Sequence, residues 1–351
     1  MTAHPRGSVL VTGGAGYIGA HTAKALHDRG WRPVVYDNLS AGFREAVLWG
    51  EFVHGDVRDV RALREAMERH GVQAVIHFAS LIEVGRSVER PDLFYDTNVG
   101  GTAALLQAMR EAGVPRLVFS STAAVYGEGM PGEPLTETLP KAPTNPYGDT
   151  KLACERMIAA HARAFGLSAV ALRYFNACGA DPSGLIGEAH DPETHLIPLT
   201  IRAALGQGKP LTVFGCDFDT PDGACLRDYI HVCDLAAAHV AALEVPLAAG
   251  QFEAANVGTG SGYSVLEVIA AAQRVLGRPV PHSIGPRRAG DPATLIADPA
   301  RARALLSWRP ACSSIDQIVE TAAAWHRRQR YGRTPGSQFE TETTTDKILV
   351  A

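Results

Sequence analysis

The sequence predicts an α/β fold, in which a doubly wound parallel sheet is followed by a smaller C-terminal α/β domain. Through the first half of the chain, short and continuously apolar segments alternate with segments of helical periodicity. Continuous apolar strands are typical of parallel sheets that helices cover on both faces. A glycine-rich segment at 13–19 joins the first predicted strand to the first predicted helix. After about residue 176 the alternation loosens, which indicates a second unit.

The individual elements follow from local patterns. Runs of apolar and β-branched residues predict strands at 9–11, 33–36, 52–53, 74–78, 117–119 and 169–172. Helical periodicity predicts helices at 17–29, 59–70, 92–112, 147–165, 196–206, 234–244, 264–276, 299–306 and 314–329. Two helices carry start signals, because Ser264 and Glu267 form a capping box and Asp298 precedes Pro299 as an N-cap.

Composition and charge exclude several functional classes. The formal net charge of -4 and the pI near 6.4 argue against general binding to nucleic acid or to a membrane surface. The six cysteines include no Cys-x-x-Cys pair, so neither a metal site nor a redox dithiol is predicted. No stretch approaches the length of a membrane span, and we expect a cytoplasmic protein.

The glycine-rich segment predicts a dinucleotide site. Gly13, Gly16 and Gly19 follow G-x-x-G-x-x-G between a strand and a helix. The first glycine allows a tight turn, the second lets backbone approach a pyrophosphate, and the third lets the helix pack on the strand. The N-terminus of the helix offers N–H donors and partial positive charge to the phosphates. The alternative is a plain glycine turn, but the flanking strand and helix favour a Rossmann-type cofactor site.

Two aspartates end the next two predicted strands. The carboxylate of Asp37 suits the two ribose hydroxyls of adenosine and would repel a 2′-phosphate, which favours NAD over NADP. Asp56 could accept a hydrogen bond from the adenine amine. Each residue could equally be an aspartate that caps the turn after its strand.

Tyr147 and Lys151 are the candidate catalytic pair. They lie four residues apart at the start of a predicted helix, so they share one helix face. A phenol with an ordinary pKa of about 10 is a weak base at neutral pH, and a neighbouring ammonium favours its ionised form. Thr122, which follows the fifth strand, could hydrogen-bond the reacting oxygen, although a Ser/Thr run at a strand end is usually only a turn.

These elements together resemble the extended short-chain dehydrogenase/reductase superfamily. Within it the chain resembles the UDP-glucose 4-epimerase (UDP-galactose 4-epimerase) family over roughly residues 8–330. The matching segments are 13–22, 37–39, 55–56, 75–79, Asn98, 119–127, 146–151, 172–176, 227–232 and 286–291. The run at 227–232 is specific well beyond the superfamily.

The resemblance implies a set of site residues. Catalysis would rest on Tyr147 as acid and base, on Lys151, which binds the nicotinamide ribose and tunes Tyr147, and on Thr122 beside the sugar 4-hydroxyl. Contacts to NAD are implied for Tyr17, Ile18, Asp37, Asn38, Asp56, Val57, Phe78, Ala79, Asn98 and Phe175. Contacts to the UDP-sugar are implied for Asn176, His195, Leu196, Phe214, Arg227, Arg288 and Asp291. Without the resemblance, Arg227 would be an ion-pair partner of Asp228 or another carboxylate, and Arg288 a solvated charge.

The resemblance also implies the reaction and the domains. The family oxidises and re-reduces the sugar C4 of UDP-glucose and UDP-galactose through a 4-keto sugar, while retaining NAD. We therefore expect an NAD-binding domain at 1–176 with a returning segment around 226–254, and a UDP-sugar domain at 177–225 and 255–333. The tail at 334–351 is rich in Thr and Glu and is predicted to be disordered. A homodimer through the predicted helices 92–112 and 147–165 is implied as well.

Several alternatives stay open. A 4,6-dehydratase would need carboxylates after Thr122, and this chain has Ala123 and Ala124 there, which cannot transfer protons. A UDP-pentose or UDP-uronate 4-epimerase and a non-catalytic NAD sensor are further alternatives. Leu295 lies near the family position that limits room beside the sugar C2, so UDP-N-acetylhexosamines are further candidate substrates. His195 stands where some members have Asn.

Overall fold

A computed structural model describes residues 6–128, 133–288, 291–328 and 331 of the chain. The strands, in chain order, are β1 Ser8–Thr12, β2 Arg32–Asp37, β3 Glu51–His54, β4 Val72–His77, β5 Arg116–Thr122, β6 Ser168–Tyr174, β7 Asn176–Cys178, β8 Leu211–Phe214, β9 Leu226–His231, β10 Phe252–Val257, β11 Gly262–Ser264, β12 His282–Gly285 and β13 Thr294–Leu295. The predicted tail at 334–351, and positions 289–290 of the last family motif, lie outside the described residues.

The helices surround these strands. They are α1 Tyr17–Asp28, α2 Val60–His70, α3 Val84–Glu89, α4 Pro91–Phe94, α5 Gly101–Glu111, α6 Pro146–Phe165, α7 Leu196–Ala204, α8 Val232–Leu243, α9 Val265–Leu276, α10 Ala300–Leu306 and α11 Ile315–His326. Short 3₁₀ helices lie at Arg44–Ala46 and Ala123–Tyr126, and a π-helical turn lies at Tyr95–Gly100. Within the described ranges, no helix combines the length and apolar composition that crossing a bilayer requires.

The predicted fold class is confirmed. Seven strands form one parallel sheet in the order β10-β6-β5-β4-β1-β2-β3, with its chain reversal beside β1. The sequence predicted only six of these strands and missed β10, which returns to the edge of the sheet after the chain has passed through the second unit. The predicted returning segment ends inside β10, and the proposed domain boundaries stay a prediction.

Both faces of the sheet are covered by apolar packing. In β1, Leu10 packs against the side of α2, α5 and α6, whereas Val9 and Val11 pack against the side of α8 and α10. This alternation follows from the two-residue period of a strand. A separate cluster joins α7, α9 and α11 to β8, and it forms the core of the second unit.

The second unit contains small sheets of its own. β9 pairs with β11, β13 and β7, and β8 pairs with β12. The carboxylate of Asp228 in β9 is fully buried and accepts hydrogen bonds from the backbone of Thr259, Gly260 and Ala297. The strands of this unit are therefore held around one buried anion.

Two predictions about individual helices can be compared with the structure. The capping box of Ser264 and Glu267 at the start of α9 is confirmed, with both reciprocal hydrogen bonds present. The helix predicted at 92–112 forms as one continuous helical segment, but a π-helical turn that the sequence analysis did not predict lies within it between α4 and α5. Single π turns inside helices occur frequently at functional sites.

A buried polar network fixes α6 to the sheet. Arg173 of β6 donates two hydrogen bonds to the carboxylate of Glu155 in α6, at 2.9 and 2.6 Å. Ser121 donates to the same carboxylate at 2.5 Å, and Arg173 also donates to the hydroxyl of Tyr126 at 2.8 Å. The side chains of Arg173 and Glu155 are only 6% and 4% exposed. The network therefore attaches the middle of α6 to β5 and β6.

We predict that Glu155→Ala lowers the free energy of unfolding by about 3–5 kcal/mol, because it leaves the buried charge of Arg173 without its partner. Urea denaturation followed by circular dichroism measures this difference. The matched control is Glu68→Ala, since the ion pair of Glu68 with Arg64 is exposed and should contribute at most about 1 kcal/mol. Equal losses in the two variants would contradict this role of the network.

Candidate active site

The predicted dinucleotide turn is built at the carboxyl end of β1. Gly13 has φ +70, and a Cβ there would lie 2.6 Å from the backbone nitrogen of Ala79. A Cβ at Gly19 would lie 2.3 Å from the carbonyl oxygen of Gly13, so α1 packs directly on the turn. Gly16 is the N-cap of α1, and no side chain of the described residues caps this end of the helix. The first N–H groups of α1 are thus left to an anion.

Asp37 lies beside this turn, at the end of β2. Its carboxylate accepts hydrogen bonds from the backbone nitrogens of Ala15 at 3.0 Å and Leu39 at 2.8 Å. Burial raises the pKa of Asp37, and the two backbone N–H groups oppose that rise. Each carboxylate oxygen retains a further lone pair. The position and the spare acceptors fit a ribose whose two hydroxyls are unmodified.

The carboxylate of Asp56, which was predicted to accept a hydrogen bond from adenine, already accepts hydrogen bonds from other residues of the protein. Its two oxygens accept four hydrogen bonds, three from the backbone and guanidinium of Arg58 and one from Asn38 at 3.1 Å. The hydrogen bonds from Arg58 hold the pKa of Asp56 well below its usual range. Since a carboxylate offers about four acceptor sites, an adenine amine would have to share one of them.

Val57, the next predicted cofactor contact, is buried against the α-carbon of Gly101 at the start of α5.

Asn98 holds the loop after β4 in place. Its side-chain oxygen accepts from the backbone nitrogen of Leu81 at 2.8 Å, and its amide nitrogen donates to Leu81 O and to Thr150, both at 3.1 Å. Phe78 and Ala79 begin this loop, and both of their N–H groups donate to the carbonyl of Thr12 in β1. The structure therefore places Asn98 as a support for the predicted cofactor contacts at Phe78 and Ala79.

Tyr17 links the dinucleotide turn to the second unit. Its hydroxyl donates to the carbonyl oxygen of Gly179 at 2.6 Å, and burial raises its pKa well above the ordinary value. Ile18, the next residue of α1, packs at the margin of the apolar cluster between α1, α8 and the sheet. The side chain of Tyr17 therefore fixes the relative position of the two halves of the predicted site.

The predicted catalytic residues lie together at the start of α6 and the end of β5. Asn145 caps α6 by accepting from the backbone nitrogen of Gly148 at 2.9 Å. A Cβ at Gly148 would lie 2.7 Å from the carbonyl oxygen of Ala124, so the first turn of α6 packs closely on the 3₁₀ helix after Thr122. Tyr147 and Thr122 are buried, and their hydroxyl groups interact.

Lys151 lies one turn further along α6 and is almost completely buried. Its ammonium donates to the hydroxyl of Ser80 at 2.7 Å and to the carbonyl oxygen of Ser120 at 2.9 Å, and it lies 4.9 Å from the ring centroid of Phe119. Burial lowers the pKa of Lys151 to about 8. The contact with Ser80 had no signal in the sequence, because it joins residues that lie 71 positions apart.

The protonation of Tyr147 differs from the prediction. Burial raises the pKa of its phenol, the neighbouring Tyr174 adds to the rise, and the hydrogen bond with Thr122 opposes it. The sequence predicted that Lys151 lowers this pKa, and in the structure burial outweighs any such effect. A positive charge beside the phenol is still needed before Tyr147 becomes a base at neutral pH.

We predict that Tyr147 stays protonated up to at least about pH 10 in protein from which bound dinucleotide has been removed, since burial raises its pKa from that ordinary value. The ultraviolet difference between wild type and Tyr147→Phe isolates this phenol from the other tyrosines during a pH titration. A phenolate signal from Tyr147 that develops below about pH 8 would contradict the stated effect of burial.

Two further predicted site residues follow β6, Phe175 for the cofactor and Asn176 for the substrate. Phe175 is half-buried in a cluster with Val125, Tyr126 and Leu152, where Leu295 also packs. Asn176 begins β7 and pairs with Tyr229 in β9. These contacts place both residues at the junction of the large sheet and the second unit.

His195 and Leu196 lie at the start of α7. Leu196 is buried in the core of the second unit. Burial alone would lower the pKa of His195, but the carboxylates of Glu188 and Glu193 raise it to about 10. The Nδ1 atom of His195 lies 2.8 Å from Glu188 and 3.2 Å from Glu193. The sequence analysis missed both glutamates, which lie in a segment rich in Gly, Pro, Asp and Glu that reads as a surface loop.

The remaining predicted substrate residues form one cluster in the second unit. Arg227 forms an ion pair with Asp291 and donates to the carbonyl oxygen of Pro292 at 2.9 Å. The guanidinium of Arg288 lies 4.1 Å from the ring centroid of Phe214, and burial lowers its pKa. The sequence left an ion pair as the alternative role of Arg227 and a solvated surface charge as that of Arg288. The ion pair of Arg227 is present, with Asp291 as its partner. Arg288 is partly buried beside Phe214, so it is not a fully solvated charge.

Comparison with known proteins identifies related chains. The profile of the NAD dependent epimerase/dehydratase family matches residues 9–258. The UDP-glucose 4-epimerase of Rhizobium meliloti is 50% identical over 326 residues, which cover 93% of this chain and 98% of that relative. The enzyme of the same name from Halalkalibacterium halodurans is 49% identical over 325 residues, covering 93% and 97%. The crystal structure of UDP-glucose 4-epimerase from Brucella ovis in complex with NAD has 52% identity and a TM-score of 0.87, over 91% of this chain and 98% of that one.

Proposed function

The chain belongs to the NAD dependent epimerase/dehydratase family, and from this premise we propose that it interconverts UDP-glucose and UDP-galactose by inverting the sugar C4. Curated relatives that are about half identical over 93% of the chain are UDP-glucose 4-epimerases. The resemblance, the enzyme class and the NAD cofactor predicted from the sequence are thereby confirmed. The roles of the individual residues are part of this proposal.

The residues around the glycine turn fit NAD. The uncapped N-terminus of α1 suits a pyrophosphate, and the spare acceptors of Asp37 suit an unmodified adenosine ribose. Bound NAD supplies an acceptor and donor of hydride. Lys151 lies between Ser80 and Ser120, on the same edge of the sheet, and would hold the nicotinamide ribose there.

The observation that carries the proposed reaction is the grouping of Tyr147, Thr122 and Lys151, with alanines instead of acids at the two positions after Thr122. Thr122 is followed in the 3₁₀ helix by Ala123 and Ala124, whose side chains cannot transfer protons. A site that can move a proton at one hydroxyl but cannot assist elimination suits epimerisation better than dehydration. This arrangement supports the assignment against the 4,6-dehydratase alternative.

The proposed steps use one phenol twice. Tyr147 accepts the proton of the sugar 4-hydroxyl while Thr122 hydrogen-bonds the same oxygen, and the sugar becomes a 4-keto sugar. Arg227 and Arg288 bind the diphosphate, because a guanidinium makes paired, charge-assisted hydrogen bonds to phosphate oxygens. We infer that the hexose is held less firmly than the diphosphate, so that it can rotate in the site while UDP stays bound. Tyr147 then returns the proton as the C4 centre is reduced on the opposite face.

We predict that Tyr147→Phe lowers kcat for UDP-galactose by about 10²–10⁴-fold, which is the usual contribution of acid–base catalysis. The variant should retain bound NAD, since the ring still fills its buried position. A coupled assay of UDP-glucose formation measures kcat, and chromatography of the denatured protein measures NAD. Tyr263→Phe in β11 is the matched control and should keep its activity. Near-normal turnover by the Tyr147 variant would overturn the proposed mechanism.

The substrate range is a second, finer part of the proposal. Leu295 of β13 pairs with Arg227 and packs in the same cluster as Phe175, which supports a position for it near the predicted sugar end of the site. A leucine leaves more room there than the tyrosine of some family members. We therefore propose that UDP-N-acetylhexosamines are accepted as well.

We predict that wild type epimerises UDP-N-acetylglucosamine and UDP-glucose at similar rates. Leu295→Tyr should lower kcat/KM for the N-acetylated substrate by about tenfold or more, because steric discrimination of this kind is worth roughly 10–200-fold. Turnover of UDP-glucose should be retained, and Leu139→Met in the same cluster serves as the control. The idea fails if wild type shows no detectable turnover of UDP-N-acetylglucosamine.

The predicted homodimer is also part of the proposal. The first predicted interface helix, 92–112, corresponds to the segment from α4 to α5, and the second, 147–165, corresponds to α6. Both α3 and α4 contact α6. Val88 and Tyr95 on this side of the chain are exposed apolar residues, which supports a surface that a second copy covers. The cytoplasmic location stays a prediction.

A further inference from the structure

We propose that Glu188, His190, Glu193 and His195 form a binding site for one divalent transition-metal ion. The four residues lie in the segment that joins β7 to α7, outside the reacting groups at Tyr147 and Thr122. One ligand atom from each residue lies within 4.8 Å of all the others. The sequence predicted no metal site, because its cysteines show no metal-binding spacing and this Glu/His pattern matches no common motif.

The distances within this cluster are close to those of a metal coordination sphere. The Nδ1 atoms of His190 and His195 lie 3.0 and 2.8 Å from Oε1 of Glu188, and the Nδ1 of His195 lies 3.2 Å from Oε1 of Glu193. Ligands about 2.0–2.2 Å from a tetrahedral ion are separated by about 3.3–3.5 Å. Small side-chain movements would therefore admit an ion at the centre of the cluster.

The buried carboxylate of Glu193 provides an independent indication of a ligand. Its side chain is 1% exposed, and its Oε2 atom accepts no hydrogen bond from any described residue. A buried carboxylate oxygen without a donor is costly. Its other oxygen, Oε1, accepts from the backbone nitrogens of Thr194 and His195 and lies 3.2 Å from Nδ1 of His195, so the same carboxylate holds the cluster together and carries the unsatisfied oxygen. A bound cation would satisfy this oxygen and would replace the His195 imidazolium as the positive charge between Glu188 and Glu193.

The donor set indicates the class of metal. Two imidazole nitrogens and two carboxylate oxygens suit Zn²⁺ and neighbouring first-row ions better than Ca²⁺ or Mg²⁺, which prefer oxygen ligands. Binding replaces the N–H protons that now lie between each Nδ1 and the carboxylates, so these protons are released to solvent. Coordination through Nδ1 leaves Nε2 of His195 able to donate to a substrate.

The position of the cluster indicates what the ion would hold together. Trp325 of α11 donates to the carbonyl oxygen of Glu188 at 2.7 Å, and the ring of His190 meets the ring of Tyr17 edge-on at 6.1 Å. His195 immediately precedes α7. The ion would therefore fix the β7–α7 segment between α11, the start of α7 and Tyr17 of α1.

The test is titration of Zn²⁺ alone into the full, tag-free chain after treatment with a chelator, followed by calorimetry. One strong site per chain is expected, and Co²⁺ in its place should give the visible absorption of a tetrahedral N/O site. Loss of a partner that merely orients a metal ligand costs 10–100-fold in affinity, so Glu193→Gln and His190→Gln should each weaken binding by about 100-fold or more. His282→Gln, an exposed histidine on β12, is the matched control and should bind as wild type does.

Two results would overturn the proposal. One is the absence of a strong site in correctly folded wild type, as judged by circular dichroism. The other is strong binding that both variants retain, which would place the ion elsewhere, such as at the cysteines. If a variant does not fold, the thermal midpoint of wild type decides, because an ion that binds the folded chain must raise it. An unchanged midpoint at saturating Zn²⁺ counts against the site.

Discussion

The burial of the Lys151 ammonium is the constraint on which the active site depends. A buried charge is stable only where donors and acceptors match, and Lys151 meets this need with Ser80 after β4 and Ser120 in β5. These two bonds hold α6 across the carboxyl ends of adjacent strands. Tyr147 lies one turn before Lys151 on α6, so fixing Lys151 also fixes the position of Tyr147 relative to Thr122. Glu155 lies one turn after Lys151, and its ion pair with Arg173 attaches the helix to β6.

The two halves of the site are joined by a few individual side-chain contacts. The hydroxyl of Tyr17 connects the dinucleotide turn to Gly179, at the start of the segment that leads into the second unit. Arg227 and Asp291 then bring β9 and the region before β13 together, close to Arg288 and Phe214. The residues proposed for proton and hydride transfer thus lie on the large sheet, and those proposed for the diphosphate lie on the second unit. In this proposal the sugar reorients between them while its diphosphate remains fixed.

Sequence patterns predicted the parts of the structure that depend on neighbouring residues. The glycine turn, the strand before it and the cap of α9 are set within a few positions, and the structure has each of them. The strand β10 was missed because its place in the sheet depends on pairing with β6, about 80 positions earlier. The raised pKa of Tyr147 likewise depends on burial by distant parts of the chain. The engagement of Asp56 is different, because three of its four hydrogen bonds come from Arg58, only two positions along the chain, and the sequence analysis overlooked that partner. The cluster around Glu193 likewise forms only when the segment before α7 folds back on itself.

In the proposed mechanism, one hydrogen leaves the sugar C4 and returns to the same carbon from the opposite side. UDP-galactose that carries deuterium at C4 tests this step when the product UDP-glucose is examined by proton magnetic resonance. Deuterium should be retained at C4 of the product, and no hydrogen from the solvent should appear there. Replacement of the label by solvent hydrogen at C4 would contradict this mechanism, because inversion would then proceed by proton exchange.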